Sequence, residues 1–396
     1  MKQSEISLNE TFTFENLFRS LKKCNRGVNY KRSVQECNVY CIDYITGAII
    51  EILSGGIPSI KSSEHTIIYE RGKARIITPI NIKDRVIQRN LCDTVLIPAI
   101  TPHLIYDNGA SMPGKGVEFT RIRFNSFIEK AKRMWGADNL YALTFDFKSY
   151  FDNIPHSECY HILDKYIADK RIVNLCISLI ESYKLDEINQ IEDEEIQEKR
   201  LKDLWEHKDK GVCLGSQLSQ IMAVAVPNSL DHYIKDQLGT KFYIRYMDDG
   251  IIISNDKKKL QELLCLIRNK AAQIGLTLHE KKTRIVKLTH GVTFMKIKYK
   301  VTKDGKTIKR LVRSSAVRQR RKLKKLKKKV DAGKLTLNDV YMSMQSWNAH
   351  AKLAASWHTT KSMFKLYDKL FGGYKLTRLY YKNNPHEKRK RKVTEF

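Results

Sequence analysis

The residues most able to do chemistry are carboxylates that follow strand-like segments. Asp248 and Asp249 lie between an aromatic segment, residues 242–245, and a β-branched one, residues 251–253, which predicts a strand–turn–strand unit. Adjacent carboxylates raise the cost of ionising each other, and a divalent cation removes that cost. Because Asp-Asp-Gly is also ordinary hairpin chemistry, this unit alone leaves a solvated turn equally open.

A second carboxylate site changes this balance. Asp146 ends a strand-like segment, residues 141–145, and Asp152 follows in a turn that leads into a helix. A carboxylate at the end of one strand can face a carboxylate pair at a neighbouring hairpin. Together they could hold two divalent ions, one that activates an attacking 3′-hydroxyl and one that binds the triphosphate and the leaving pyrophosphate.

The motifs around these carboxylates resemble the palm of reverse transcriptases. A Tyr-Met-Asp-Asp motif ends at Asp249, a Phe-Asp pair ends at Asp146, and further motifs follow in the family's order across residues 67–371. The resemblance implies an α+β right-hand polymerase with fingers, a palm built on a central antiparallel sheet, and a helical thumb. It implies an RNA-directed DNA polymerase in which Asp146, Asp248 and Asp249 are catalytic and bind two Mg²⁺ ions, for which Mn²⁺ can substitute.

Composition limits the partners of this chain. The 396 residues, 42% of them hydrophobic, are enough for a globular protein of several subdomains. Lys and Arg outnumber Asp and Glu by 72 to 43, which favours a nucleic-acid partner, although ribosomal and membrane-surface proteins are also basic.

The eight cysteines are dispersed without a zinc spacing, which predicts reduced thiols. Since no apolar run is long enough for a membrane helix, we expect a cytoplasmic protein without membrane contact.

The order of the motifs predicts a domain plan. Its parts are an N-terminal helical extension (1–63), fingers (64–137), a palm (138–300) with a charged insertion near 186–209, a basic helical thumb (301–380) and a basic tail (381–396).

Two segments of the predicted fingers carry basic residues suited to phosphates. Residues 67–79 predict a β-hairpin that puts Lys73 and Arg75 on one face, where two cations could clamp a nucleoside triphosphate. The family's hairpin carries basic residues for this task, so the resemblance assigns dNTP binding to both. Lys115 lies between two glycines in a loop without the P-loop spacing, and its likeness to the family places it near the template.

The resemblance assigns further dNTP contacts in the palm. Phe151 lies five positions after Asp146, where the family has an aromatic ring that excludes a ribose 2′-hydroxyl. Without the family, Phe151 would be a plain core residue. Gly215, Ser219 and Gln220 match a Gly-x-x-x-Ser motif, in which the glycine lets the backbone approach a base pair.

This motif departs from its usual form, which has Gln before the glycine and Pro after the serine. Leu214 and Gln220 occupy these positions. The resulting pattern is similar to diversity-generating retroelement enzymes and to prophage and defence-associated reverse transcriptases of bacteria. Because Leu214 removes a polar contact near the incoming nucleotide, we expect lower fidelity than in a typical member.

Lys282 matches a lysine that the family places near the leaving pyrophosphate. A general-acid role follows for it by resemblance, although Lys281 fits the position nearly as well. Phe294 and Met295 lie in a segment similar to the primer grip, whose usual Phe-Leu-Gly is Phe-Met-Lys here.

The most basic stretch, residues 310–334, predicts a thumb helix. Arg318 and Arg321 are candidates for contact with the backbone of a primer–template duplex.

The biological role is open at this stage. Residues 312–315 lack the Val-Thr-Gly of retron enzymes, and nothing after the thumb resembles an RNase H, an integrase or the endonuclease of group II intron proteins. We expect an enzyme that copies a dedicated non-coding RNA into cDNA from dNTPs in phage defence, with an accessory protein or an oligomer as further partner. The alternatives are an error-prone enzyme of a diversity-generating retroelement and a noncatalytic RNA-binding scaffold. An RNA-synthesising polymerase is opposed by Phe151.

Overall fold

The computed structural model describes residues 3–56, 66–70, 73–77, 80–181 and 209–373. Its helices and antiparallel strands confirm the predicted α+β class. The described α-helices are α1 (Leu8–Thr11), α2 (Phe14–Cys24), α3 (Arg32–Val39), α4 (Cys41–Leu53), α5 (Ile82–Leu91), α6 (Ile97–Ile100), α7 (Val117–Trp135), α8 (His156–Tyr166), α9 (Lys170–Glu181), α10 (Gln217–Ala225), α11 (Asn228–His232), α12 (Lys257–Gln273), α13 (Arg313–Asp331), α14 (Leu337–Ala351) and α15 (Trp357–Phe371). The described strands are β1 (Thr66–Glu70), β2 (Lys73–Ile77), β3 (Tyr141–Asp146), β4 (Tyr243–Tyr246), β5 (Asp249–Ser254), β6 (Arg284–Lys287), β7 (Val292–Phe294), β8 (Ile297–Val301) and β9 (Thr307–Leu311).

The chain divides into two compact units. Unit 1 comprises Met1–Phe124, Leu143–Ile252 and Lys257–Ile285, and unit 2 comprises Asn125–Ala142, Ile253–Asp256 and Val286–Phe396. Within unit 2, a three-stranded sheet, β7-β8-β9, precedes helices α13 to α15, whose apolar faces pack together. Unit 1 contains the N-terminal helices α1 to α4 and most of a four-stranded sheet.

The four-stranded sheet has the order β4-β5-β3-β6. Strands β4 and β5 form an antiparallel hairpin in which Tyr246 pairs with Asp249. The two central strands, β3 and β5, are largely buried, as their apolar composition predicts. Phe145 of β3 stacks on Tyr243 of β4, with ring centroids 6.1 Å apart. The sheet therefore fixes the ends of β3 and β5 against each other.

Several helix boundaries differ from the sequence-based expectation. The apolar stretch 221–238 predicts one helix, but the helix begins at Gln217, because Ser216 caps it and accepts a hydrogen bond from the Ser219 amide. It is also interrupted at Pro227, which lacks an amide donor, so α10 and α11 are separate. The basic thumb helix begins at Arg313 rather than residue 310, because Arg310 pairs with Lys298 in the sheet.

The sequence also predicts a helical region over residues 335–370, and this region forms two helices. The chain leaves α14 after Ala351, and the Ala355 amide donates to the Lys309 carbonyl before α15 begins. Most of the charged insertion near 186–209, and all of the basic tail 381–396, lie outside the described residues. The eight cysteines are free thiols. Among the described helices, none combines the length and apolarity that crossing a membrane requires.

Candidate active site

Two of the three predicted metal-binding carboxylates interact at the end of the four-stranded sheet, and the third lies in the adjoining turn. Asp146 is the last residue of β3 and only 5% exposed, and Asp249 is the first residue of β5. Asp248 lies in the tight turn before it. The side chains of Asp249 and Asp146 are close enough to raise the pKa of Asp249. The sheet thus brings together groups that are about a hundred residues apart in the sequence.

The crowding of these groups changes their acidity. Burial, then the negative charge of Asp248, then Asp146, raises the pKa of Asp249 to about 7, and Lys282 opposes this change. Near neutral pH Asp249 is therefore protonated in part of the molecules, and a divalent cation could replace that proton. Oxygen-only donors suit Mg²⁺, so the carboxylates fit such an ion chemically. Within the described part of the chain, no three acidic, His or Cys side chains surround a single point in this conformation.

A buried arginine supports the turn that carries Asp248. Met247, the residue before it, has a φ of +53°, a left-handed conformation that costs free energy outside glycine. The Arg245 guanidinium donates to the Met247 carbonyl at 2.8 Å and also pairs with Asp231 at 2.6 Å. Both side chains of the pair are fully buried. Sequence reasoning missed this anchor, although an arginine inside an apolar strand was a visible signal for it.

Lys282 is the lysine that contacts the carboxylates. Its Nζ donates to both carboxylate oxygens of Asp146, at 2.7 and 2.8 Å. The segment before β6 holds it there, because the His279 amide donates to the Asp146 carbonyl at 2.7 Å. Since the Lys282 side chain is 55% exposed, its ammonium can exchange this carboxylate for another anion.

A family model described as reverse transcriptase (RNA-dependent DNA polymerase) matches residues 61–327. The chain belongs to the reverse transcriptase family. Its fold is the reverse transcriptase fold, and members of this family are RNA-directed DNA polymerases. Enzymes of this family generally use divalent metal ions.

Solved structures similar to this chain include telomerases. The apo telomerase of Candida tropicalis is 13% identical, with 91% of this chain and 65% of that chain covered and a TM-score of 0.46. Its form truncated from the C-terminal domain is 15% identical, with 63% and 55% covered and a TM-score of 0.46. The Candida albicans telomerase, in complex with a TWJ fragment of telomeric RNA, is 11% identical, with 84% and 66% covered and a TM-score of 0.44.

The chain spans 55% to 66% of the length of these telomerase chains. The comparison with curated proteins finds no significant match.

Phe151, the residue expected to exclude a ribose 2′-hydroxyl, is half-buried. Phe151 begins a 3₁₀ turn after β3 and makes an edge contact with Tyr150, with ring centroids 5.7 Å apart. Tyr150 is buried, stacks on Phe147 and donates to the Ala223 carbonyl. Phe151 therefore rests on a fixed aromatic base and keeps part of its ring accessible.

The Gly-x-x-x-Ser motif divides between surface and interior. Gly215 is exposed with a φ of +124°, and Gln220 is exposed on α10. Both line a cavity of about 320 Å³. Ser219 is only 3% exposed, so its side chain packs inside unit 1 rather than facing a ligand. The residue that sequence reasoning overlooked is Ser216, whose hydroxyl donates to Gln88 at 2.8 Å.

Lys115 is directed onto its own loop. Its Nζ donates to the Tyr106 carbonyl at 2.6 Å and lies 4.7 Å from the centre of the Tyr106 ring. Burial lowers the pKa of Lys115. In this conformation the expected template contact of Lys115 would require the ammonium to leave Tyr106.

The candidate primer-grip residues lie in unit 2. Phe294 and Met295 are buried, 4% and 9% exposed, so their side chains offer a primer almost no surface. Met295 and Lys296 both have positive φ and form the tight turn between β7 and β8. Arg318 and Arg321 are exposed on α13, as expected.

The predicted fingers hairpin is present, with Glu70 of β1 paired to Lys73 of β2. The side chains of Lys73 and Arg75 lie outside the described residues.

Proposed function

We propose that this chain is an active polymerase that copies a dedicated non-coding RNA into cDNA by two-metal nucleotidyl transfer. The observation that carries this proposal is the interaction of Asp146 with Asp249 at adjacent strand ends, with Asp248 in the adjoining turn, within the matched family domain. A solvated turn would not need a half-buried carboxyl whose pKa is raised to about 7.

The side chains of the site have distinct tasks in this proposal. Asp146, Asp248 and Asp249 would hold Mg²⁺, which when bound activates a 3′-hydroxyl and stabilises the leaving pyrophosphate. Arg245 fixes the turn backbone through Met247, so the Asp248 carboxylate does not have to be ordered during each reaction cycle. Lys282 carries a proton beside Asp146 and is the candidate donor to pyrophosphate.

Primer extension tests the catalytic part of the proposal. Full-length protein is given poly-rA primed with oligo-dT, dTTP and Mg²⁺, alongside Asp248→Asn and Asp249→Asn variants. Asp152→Asn is the matched control, because Asp152 is an exposed carboxylate close to the site in sequence. We expect extension by the wild type and by the Asp152 variant, and its loss in the other two. Equal extension by all four proteins would refute the assignment of the carboxylates.

The template is identified by purification from the native host. We expect a defined RNA with attached complementary DNA, and loss of the DNA in the Asp248→Ala/Asp249→Ala double variant. RNA without DNA in both samples, together with no extension of primed poly-rA, would support the noncatalytic scaffold.

For the biological role we propose phage defence in the cytoplasm of a bacterium or a prophage host. The alternative is mutagenic copying in a diversity-generating retroelement, which the Leu214 and Gln220 pattern also fits. The neighbouring locus separates the two roles. A template repeat, a variable repeat and an accessory gene would indicate diversification, whereas a structured RNA gene alone would indicate defence.

A further inference from the structure

An exposed tryptophan stands at the start of the last described helix of unit 2. Trp357, the first residue of α15, is 65% exposed. The Lys361 ammonium lies 4.8 Å from the centre of its indole ring. The His358 ring meets the indole edge-on, with centroids 4.8 Å apart. The ammonium therefore lies over the indole ring, while most of the Trp357 side chain remains exposed to solvent.

The packing of unit 2 does not account for this tryptophan. The buried cluster between α13, α14 and α15 contains Trp347, Met363 and Tyr367 among its members, and Trp347 is 8% exposed. Trp357 lies outside that cluster in the described part of unit 2. Large aromatic side chains are more often buried, because leaving apolar surface in water forgoes hydrophobic stabilisation. The Trp357 side chain thus contributes little to the stability of the fold.

The surroundings of Trp357 favour a polyanion. Ten of the 19 residues of α13 are Lys or Arg. Arg320 of α13 donates to the Ser362 hydroxyl of α15 at 3.4 Å, so the basic helix borders the helix of Trp357. From Trp357 to Tyr367, α15 carries Lys361 and Lys365 and no carboxylate. An acidic protein surface would also be attracted, but a flat ring beside an ammonium matches a base beside its phosphate more specifically.

We propose that Trp357 and Lys361 form a binding site for one unpaired nucleotide of RNA or DNA. The base stacks on the indole face opposite Lys361, and the ammonium pairs with an adjacent phosphate. The ligand is an unpaired nucleotide because a base inside a duplex already has both faces covered by its neighbours. The inference rests on the proposed function only in requiring that this chain binds nucleic acid.

Fluorescence titration of the full-length chain tests the site. The probes are single-stranded RNA and single-stranded DNA of one sequence, each containing 2-aminopurine, and the blunt duplex of that sequence. Stacking on an indole quenches this base. For Trp357→Ala we expect roughly ten-fold weaker binding of the single strands and loss of the quenching, with duplex binding unchanged. Trp357→Phe keeps a ring and should be intermediate.

Two further variants make the test specific. Lys361→Ala should lower the salt dependence of single-strand binding by about one counterion while part of the quenching remains. Met342→Ala is the matched control, because Met342 is an apolar side chain of the same unit that is 54% exposed. Thermal unfolding of every variant, expected to match the wild type, excludes a folding defect as the cause.

The outcomes separate this site from the proposed function. Single-strand binding by Trp357→Ala as tight as that of Met342→Ala would overturn the site while primer extension by the wild type still stood. No binding of any oligonucleotide by the wild type would overturn both. An effect confined to the RNA strand assigns the site to template or guide RNA, and one confined to DNA assigns it to the product. If Trp357→Ala binds the oligonucleotides as tightly as the wild type but no longer co-purifies with a protein that the wild type retains, the surface binds protein instead.

Discussion

The ring of Phe145 lies where Gly250 would carry a side chain. A Cβ added to Gly250 would be 2.2 Å from the Cζ atom of Phe145, far inside contact distance. Phe145 directly precedes Asp146, and Gly250 directly follows Asp249. The glycine in the Asp-Asp-Gly sequence therefore serves the close approach of β3 and β5, since it lies in β5 rather than in the turn.

Gly250→Ala should separate the two strands. We expect a loss of about 1–3 kcal/mol in the free energy of unfolding, because the ring of Phe145 must shift in a packed core. The rate of primer extension should fall by more than the loss of folded protein explains, since the carboxylates move with the strands. Urea denaturation and extension rates measure both effects. The double variant Phe145→Leu/Gly250→Ala should recover part of the stability, and no recovery would contradict this origin of the strain.

Arg245 should matter for both folding and rate. Arg245→Met leaves Asp231 charged and buried, which we expect to cost roughly 3–5 kcal/mol of unfolding free energy. Arg245→Lys retains the charge but not the guanidinium that reaches Met247, so we expect a folded protein with a lower turnover rate. Tyr243→Phe is the control, because it removes one 2.6 Å hydrogen bond to Asp231 and leaves the Met247 contact intact. An unchanged turnover rate in Arg245→Lys would show that Arg245 does not support the turn that carries Asp248.

Lys282 and Lys281 form a matched pair. Lys282→Ala should change the free energy of unfolding by about 1 kcal/mol, since the Lys282 side chain is 55% exposed although its partner Asp146 is buried. We expect single-turnover dNTP addition to fall by about 100-fold, in the range of general acid–base catalysis. Lys281→Ala should leave the rate near that of the wild type. Equal losses in both variants would point to general positive charge rather than to one donor.

Phe151 should control the choice of sugar. Phe151→Ala should raise the use of ribonucleotides relative to deoxynucleotides by about 10-fold or more, because the ring no longer excludes a 2′-hydroxyl. The measurement is the ratio of kcat/KM for dTTP and UTP on one primed template. Tyr150→Phe is the control, since it loses the hydrogen bond to Ala223 but keeps both rings. An unchanged ratio in the Phe151 variant would leave this residue as core packing.

Leu214 should influence fidelity. Leu214→Gln restores the polar side chain that typical members have before the glycine, so we expect a lower error rate in a gap-filling assay. Leu214 is half-buried, so part of a substituted side chain at this position remains in contact with solvent. Sequencing of the products counts the errors, and Gln220→Pro, the other departure from the usual motif, is tested in parallel. A Leu214→Gln variant with the same or a higher error rate would contradict the assigned role.

Local composition determined the elements of the site. The apolar strands that end at Asp146 and flank Asp248 were predictable, because burial of alternating or continuous apolar residues is encoded within a few positions. The same holds for the fingers hairpin and for the basic helix α13. The order of the motifs was also enough to indicate the family. The predicted helix starts were wrong at two places. A helix cap at Ser216 and a strand pairing at Arg310 decided these boundaries instead of helical periodicity.

Only the tertiary structure decided which side chains meet. Lys282 reaches Asp146 across 136 residues, and Ser216 reaches Gln88 across 128. Neither pairing has a periodic signal, because contacts between distant segments depend on how the sheet and helices pack. Burial of Phe294 and Ser219 and exposure of Trp357 follow from the same packing. The sequence therefore determined which groups could do chemistry, and the packing of the chain selected those that are placed to do it.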